Sequence, residues 1–179
     1  MKPHHDSHSG HMFPVWDVAF ASASPYYFAS AGADRMARVW CTERLHPLRM
    51  LAGHQADVDV VQWHPNAHYV ATGSSDRSVR LWDVASGKCV RLLAEHRAPV
   101  TALACSPDGQ YLASGDANGA VMMWDLGSAR RVATSAQHEG PVWSLAFSNG
   151  NTGSLLVSGA GQMPCTCGMY TREHCTRWR

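Results

Sequence analysis

Two sets of residues in this 179-residue chain have types that can do chemistry. The first combines hydroxyl, imidazole and carboxylate: His54, Thr72 and Asp76 lie in one short stretch, and so do His11, Ser30 and Asp34. A Ser or Thr beside a His that an Asp orients is the arrangement that activates a nucleophile. The second is the run CTCGMYTREHC near the C-terminus, where Cys165, Cys167, His174 and Cys175 offer four soft ligands. Zinc takes such ligands in pairs separated by roughly two to four residues, so that one turn brings both to the ion. C-x-C and an adjacent His-Cys are poor versions of that spacing, and no metal site is expected. His4, His5 and His8 lack an ordered scaffold and read as a solvated tail.

Repetition argues against the nucleophile. Trp40, Trp82 and Trp124 recur every 42 residues, and His11, His54, His96 and His138 recur at 43, 42 and 42. Ser30, Thr72, Ser114 and Ser158 form a third column, and Asp34, Asp76 and Asn118 a fourth. An active site is normally singular, whereas a set that returns in register marks a structural unit. No catalytic or cofactor-binding residue is therefore expected.

The elements that carry these columns are short and β-rich. Each unit opens on a strand (VWDVAF, VDVVQW, VTALAC, VWSLAF) and continues into a second (YYFAS, HYVAT, QYLAS, SLLVS). A third strand carries the Trp, as in VRLWD, and a fourth follows, as in CVRLL. β-branched and aromatic residues favour strands. Pro65 with Asn66, and Pro107 with Asp108 and Gly109, supply tight turns between the first two strands. A period near 42, four strands per unit and paired GH and WD signatures describe β-propeller blades. The expected fold is all-β: a WD-repeat propeller segment of about three and a half four-stranded blades, with the ring incomplete. Residues 1–10 form a disordered tail; the blades occupy 11–52, 53–94 and 95–136, with a partial one at 137–160; residues 161–179 form a non-repeat tail.

Composition narrows the partners. Fifteen Lys and Arg against 14 Asp and Glu give a net charge of +1, which offers no general grip on nucleic acid or an anionic membrane. No run of apolar residues is long enough to cross a bilayer as a helix, and MKPHHDSHSGHM lacks the apolar centre of a signal peptide. A reducing compartment is expected, with Cys41, Cys89 and Cys105 as small buried hydrophobes. Trp16, Trp63 and Trp143 read as core. Arg35, Arg38, Arg77 and Arg80 could make a basic rim; solvated edge residues balanced by Asp57, Asp59 and Glu95 is the reading preferred.

The wording of the units is more specific than the repeat. GHMFPVWDVAF, YYFASAGADRMARVWCTERLHPLRMLAGH, ADVDVVQWHPNAHYVATGSSDRSVRLWDV and SPDGQYLASGDANGAVMMWDL closely resemble the WD-repeat propellers of the fifth subunits of the general transcription factor TFIID, the plant and algal forms above all. The resemblance runs from His11 to about Ser158. It implies that the His, Ser/Thr, Asp and Trp of each blade form a buried hydrogen-bond chain: His11, Ser30, Asp34 and Trp40; His54, Thr72, Asp76 and Trp82; His96, Ser114, Asn118 and Trp124; and His138 with Ser158. It further implies a nuclear, non-enzymatic scaffold that supports histone-fold TFIID subunits in assembly of the RNA polymerase II preinitiation complex. No small-molecule substrate, no cofactor, no membrane and no direct, specific nucleic-acid contact are implied. A paralogous subunit of SAGA-type coactivators shares many of these words. An adaptor in another assembly, such as a ubiquitin ligase, is the remaining class.

The repeat breaks off in the fourth unit. Counting ten residues on from Ser158 places the next Trp near position 168, where Gly168 stands. Reading the possible codons of Cys165 to Thr176 from their third base permits a Trp-Asp-Val pattern like that at Trp82. Residues 161–179 are therefore expected to be a frame-shifted or alternatively spliced replacement of a longer propeller, unable to form the third and fourth strands.

Overall fold

The computed structural model describes residues 10–136, 138–148 and 155–161, together with the backbone strands at 166–170 and 175–178. The strands β1 (Val15–Phe20), β2 (Tyr27–Gly32), β3 (Met36–Cys41) and β4 (Arg49–Ala52) form one antiparallel sheet in chain order. A second sheet follows from β5 (Val58–Trp63), β6 (Tyr69–Ser74), β7 (Val79–Asp83) and β8 (Cys89–Leu93), and a third from β9 (Val100–Cys105), β10 (Tyr111–Asp116), β11 (Val121–Asp125) and β12 (Arg130–Ser135). The fourth begins with β13 (Val142–Phe147) and β14 (Leu156–Ala160). No helix occurs among the described residues.

Turn chemistry sets each meander. Asn66 accepts from the His68 N–H at 2.9 Å, and Asp108 accepts from the Gln110 N–H at 3.0 Å, so both side chains hold their own turn in place of a backbone partner. Between the second and third strands a tighter turn puts Arg35, Arg77 and Gly119 in the left-handed region, with φ of 64°, 68° and 86°.

The sheets stack face to face, and the core lies between them. Val61, Trp63, Val70 and Trp82 of the second sheet fill the space above Ala29, Ala31, Ala37 and Val39 of the first. Leu103, Leu112 and Trp124 pack in the same way on Ala71, Val79 and Leu81, and Leu156 with Leu145 and Phe147 packs on Ala102, Ala113 and Val121. Each blade thus presents large residues to the blade before it and small ones to the blade after it. The ring does not close. Val18 and Phe20 on the leading face of the first blade are 51% and 63% exposed, against 1% and 3% for Val61 and Trp63 at the same register in the second.

The C-terminal segment departs from expectation. Its backbone forms β15 (Thr166–Tyr170) and β16 (Cys175–Trp178), which pair antiparallel and complete the fourth sheet in the order β13-β14-β15-β16. The expectation that this tail is unable to form the third and fourth strands is corrected. Backbone pairing needs only an extended segment after a turn, and Thr166–Tyr170 supplies one without the Trp. Leu156 pairs with Tyr170 as Val70 pairs with Trp82, so Tyr170 holds the backbone position of the Trp column, two residues later than the count from Ser158.

Gly119 is the position most sensitive to a side chain. A Cβ there would fall 2.2 Å from the His138 carbonyl oxygen, on a backbone already at positive φ. Gly119→Ala is expected to destabilise the chain by about 2 kcal/mol or more. Arg77→Gly, at the equivalent turn, removes left-handed strain and is expected to be neutral or stabilising by up to ~1 kcal/mol. Urea unfolding followed by tryptophan fluorescence measures both, and equal effects would contradict the assignment.

Candidate functional site

The polar columns converge in the structure as one chain per blade. In the second blade Trp82 Nε1–H donates to Thr72 Oγ1 at 2.8 Å, Thr72 Oγ1 lies 2.7 Å from His54 Nε2, and His54 Nδ1 lies 2.8 Å from Asp76 Oδ2. The indole can only donate and the carboxylate only accept, which fixes two directions: indole to hydroxyl and Nδ1–H to carboxylate. With the imidazole neutral, as its burial favours, Nε2 accepts from the hydroxyl. The first blade repeats this with Trp40 to Ser30 at 2.8 Å, Ser30 to His11 at 2.7 Å and His11 to Asp34 at 2.9 Å. In the fourth, His138 Nε2 lies 2.6 Å from Ser158 Oγ.

The third blade corrects the fourth column. Trp124 donates to Ser114 at 2.7 Å and Ser114 lies 2.6 Å from His96, but His96 Nδ1 meets Asp116 Oδ2 at 2.9 Å, not Asn118. Asp116 sits at the end of β10, two residues before the turn position. Its second oxygen accepts the Asn118 and Ala120 N–H groups, both at 3.0 Å, so one carboxylate holds the turn and orients the imidazole. The expectation that Asn118 completes this blade's chain fails for that reason. Its sequence signal was an Asp two places early, in a blade whose usual Asp position is occupied by Asn.

Burial sets the charge states. It holds His54 and His96 below the ordinary imidazole value of 6.5, although Asp76 and Asp116 pull the other way. Burial also pushes the Asp76 carboxyl up, but the Ser78 hydroxyl, the Gln55 N–H and His54 together outweigh it and bring the group down to about 2.

Further bonds tie blade to blade. Asp17 Oδ2 accepts the Val61 N–H at 2.9 Å, Trp63 Nε1–H donates to the Ala19 carbonyl at 3.0 Å, and His64 Nε2 reaches the Gly109 carbonyl at 2.9 Å. Asp17 and His64 lie outside the repeat columns and gave no periodic signal.

The concave space that the blades surround is a cavity of about 290 Å³, lined by the first strands of all four blades. The pairing of each first strand with its neighbour shifts at the same place, between Val15 and Asp17, Val58 and Val60, Val100 and Ala102, and Val142 and Ser144. The residues at those bulges, Trp16, Asp59, Thr101 and Trp143, all line the cavity. A bulge re-aims its side chain away from the pleat. Trp16 and Trp143 are accordingly 54% and 64% exposed and are not core, as sequence alone suggested, whereas Trp63 is buried.

Other placements also differ from expectation. Arg38 is buried and pairs with Asp34 at 3.1 Å, and Arg80 is half-buried with its guanidinium 6.0 Å from the Trp82 ring, so neither belongs to a solvated rim; Arg35 and Arg77 are exposed. Glu95 is bound to Arg131 at 3.2 Å. Cys41 is buried but Cys89 is exposed, and burial raises the Cys105 thiol to about 12. The side chains of Cys165, Cys167, His174 and Cys175 lie outside the described residues. Among the described residues no group of three or more His, Cys, Asp or Glu could hold a metal ion, and no helix is long and apolar enough to cross a membrane.

Residues 40–157, more than half of the chain, match the family model described as "IFT140 first beta-propeller", and residues 3–41 match "WD domain, G-beta repeat". The chain belongs to the WD-repeat β-propeller family. WD-repeat domains are typically non-enzymatic scaffolds for protein interaction, and the hydroxyl-imidazole-carboxylate sets of the first three blades serve blade interiors. The chain is also 46% identical over 54 residues to "Transcription initiation factor TFIID subunit 5" of Caenorhabditis elegans, a stretch that takes in 30% of this chain and 8% of that protein's length.

Two measurements test the network. Thr72→Val keeps the shape but strands the Trp82 N–H and His54 Nε2, and is expected to cost about 2–4 kcal/mol; Asp116→Ala should cost clearly more than Asn118→Ala, which should stay within about 0.5 kcal/mol in urea unfolding. For pH, the unfolded state takes up protons on its imidazoles before the folded state does. The contribution of His54 and His96 is therefore complete above 6.5 and is lost as pH falls below it, while that of Asp76 persists until pH falls below 3.8 towards about 2. Thermal midpoints should decline in two stages on acidification, and a midpoint unchanged from pH 7 to 5 would refute the neutral-imidazole assignment.

Proposed function

We propose that the chain is a non-enzymatic scaffold of a TFIID-type complex, acting in the nucleus during assembly of the RNA polymerase II preinitiation complex through histone-fold subunits. The single observation that carries this reading is the 46% identity over 54 residues to a TFIID subunit 5. The blade wording adds support, as does the location of each hydroxyl-imidazole-carboxylate set in a blade interior, where a substrate has no access.

The chain spans 8% of that relative's length, so the partners are argued from recognition by the propeller segment itself. Blade edges and the cavity between blades present Trp16, Trp143, Arg35 and Arg77 to solvent, a mixture suited to protein surfaces. The net charge of +1 gives little reason for a direct grip on promoter phosphates.

A tagged 179-residue chain used to capture partners from nuclear extract tests this. Recovery of histone-fold TFIID subunits is the expected result. Recovery of SAGA-type coactivator subunits, or of cullin components, without TFIID subunits would overturn it in favour of another WD-repeat assembly.

A further inference from the structure

The leading face of the first blade and the trailing face of the fourth have the chemistry of the two halves of an interface that the chain already makes three times. On the first blade, Val18, Phe20, Phe28 and Trp40 stand at the register positions of Val61, Trp63, Val70 and Trp82. Those four residues of the second blade are at most 3% exposed because the first blade covers them; on the first blade itself no described residue does so, and Phe28 and Trp40 stack on each other at 6.0 Å beside an exposed Phe20. On the fourth blade, Ala146, Val157 and Gly159 stand where Ala19, Ala29 and Ala31 of the first receive those large side chains. The backbone register continues the match, with Cys167 and Met169 at the positions of Ala37 and Val39.

We propose that the open face of the first blade is covered by the fourth blade of a second copy of this chain, two copies closing a single ring. The occupant follows from continuity with the existing interface. The missing element is a four-stranded sheet with a small-residue face, and the fourth sheet at the other end of the chain presents Ala146, Val157 and Gly159 at those positions. Val157 and Ala146 are exposed there. Two copies give eight blades, within the range of about four to eight over which propellers close. Two identical contacts related by a two-fold axis leave no free face, so the assembly stops at two. This inference is independent of the TFIID reading, since it concerns how the sheets satisfy themselves.

The purified chain examined by size exclusion with light scattering is expected to show twice the 19.5 kDa protomer mass. Phe20→Glu and Val157→Lys replace exposed residues and should each halve that mass while keeping the β-sheet circular dichroism of the parent. Mixing the two variants should restore the dimer, because one contact is then unaltered and the other places Glu against Lys. A monomeric parent, a mass that climbs with concentration past two copies, or single variants that remain dimeric would each overturn the proposal.

Discussion

A four-stranded sheet with apolar residues on both faces cannot bury itself. Everything else in this molecule follows from that constraint. Each blade directs large residues one way and small ones the other, so that stacking in sequence buries a continuous series of cores between Val39 and Trp82, Leu81 and Trp124, and Ala113 and Leu156. The free energy comes from these interblade layers, at roughly 25 cal/mol per Å² of apolar area removed from water. Within a blade the strands are thin, and it is the neighbour that makes them interior.

Stacking of this kind specifies which faces meet but says little about register along a strand, because a shifted sheet still offers apolar surface. The Trp-to-hydroxyl-to-imidazole-to-carboxylate chain supplies that information. Each member has a fixed donor or acceptor role, so a displaced strand would leave a buried indole N–H or carboxylate without a partner. Three complete copies, each built from the loop before the first strand, the second strand and the third strand, tie the chain ends of a blade to its centre.

The sequence made the blades legible because their determinants are local and repeated: turn residues, β-rich runs and columns in register. It also set out His54, Thr72, Asp76 and Trp82 as columns, and their bonds in the second blade join them because their spacing is fixed by strand lengths. What it missed was non-periodic. Asp116 reaches its imidazole from the end of a strand instead of from the turn, and only the geometry shows that two positions give access to the same Nδ1. Trp16 and Trp143 looked like core because their neighbours alternate as strands do; a one-residue bulge, invisible in a list of apolar residues, turned them outward. The C-terminal strands were missed for a related reason. Pairing with β14 is a backbone property, and the absent Trp concealed an extended segment that could still supply it.

The repeated bulge has a consequence for how such a molecule can change. Most positions in a blade are bound by a neighbour's shape or by a hydrogen-bond role, and substitution there is felt across an interface. The four bulge positions follow no common role, although each projects into shared space. Trp16 Nε1–H donates to Asp57, Asp59 accepts from the Ser75 hydroxyl and the Thr101 hydroxyl donates to the Val142 carbonyl, so residues as unlike as Trp, Asp and Thr are each held by their own partners. The fold thereby carries two kinds of information in one chain: a redundant text that specifies the architecture, and a four-letter inscription around the axis that differs from blade to blade although the bulge that displays it recurs.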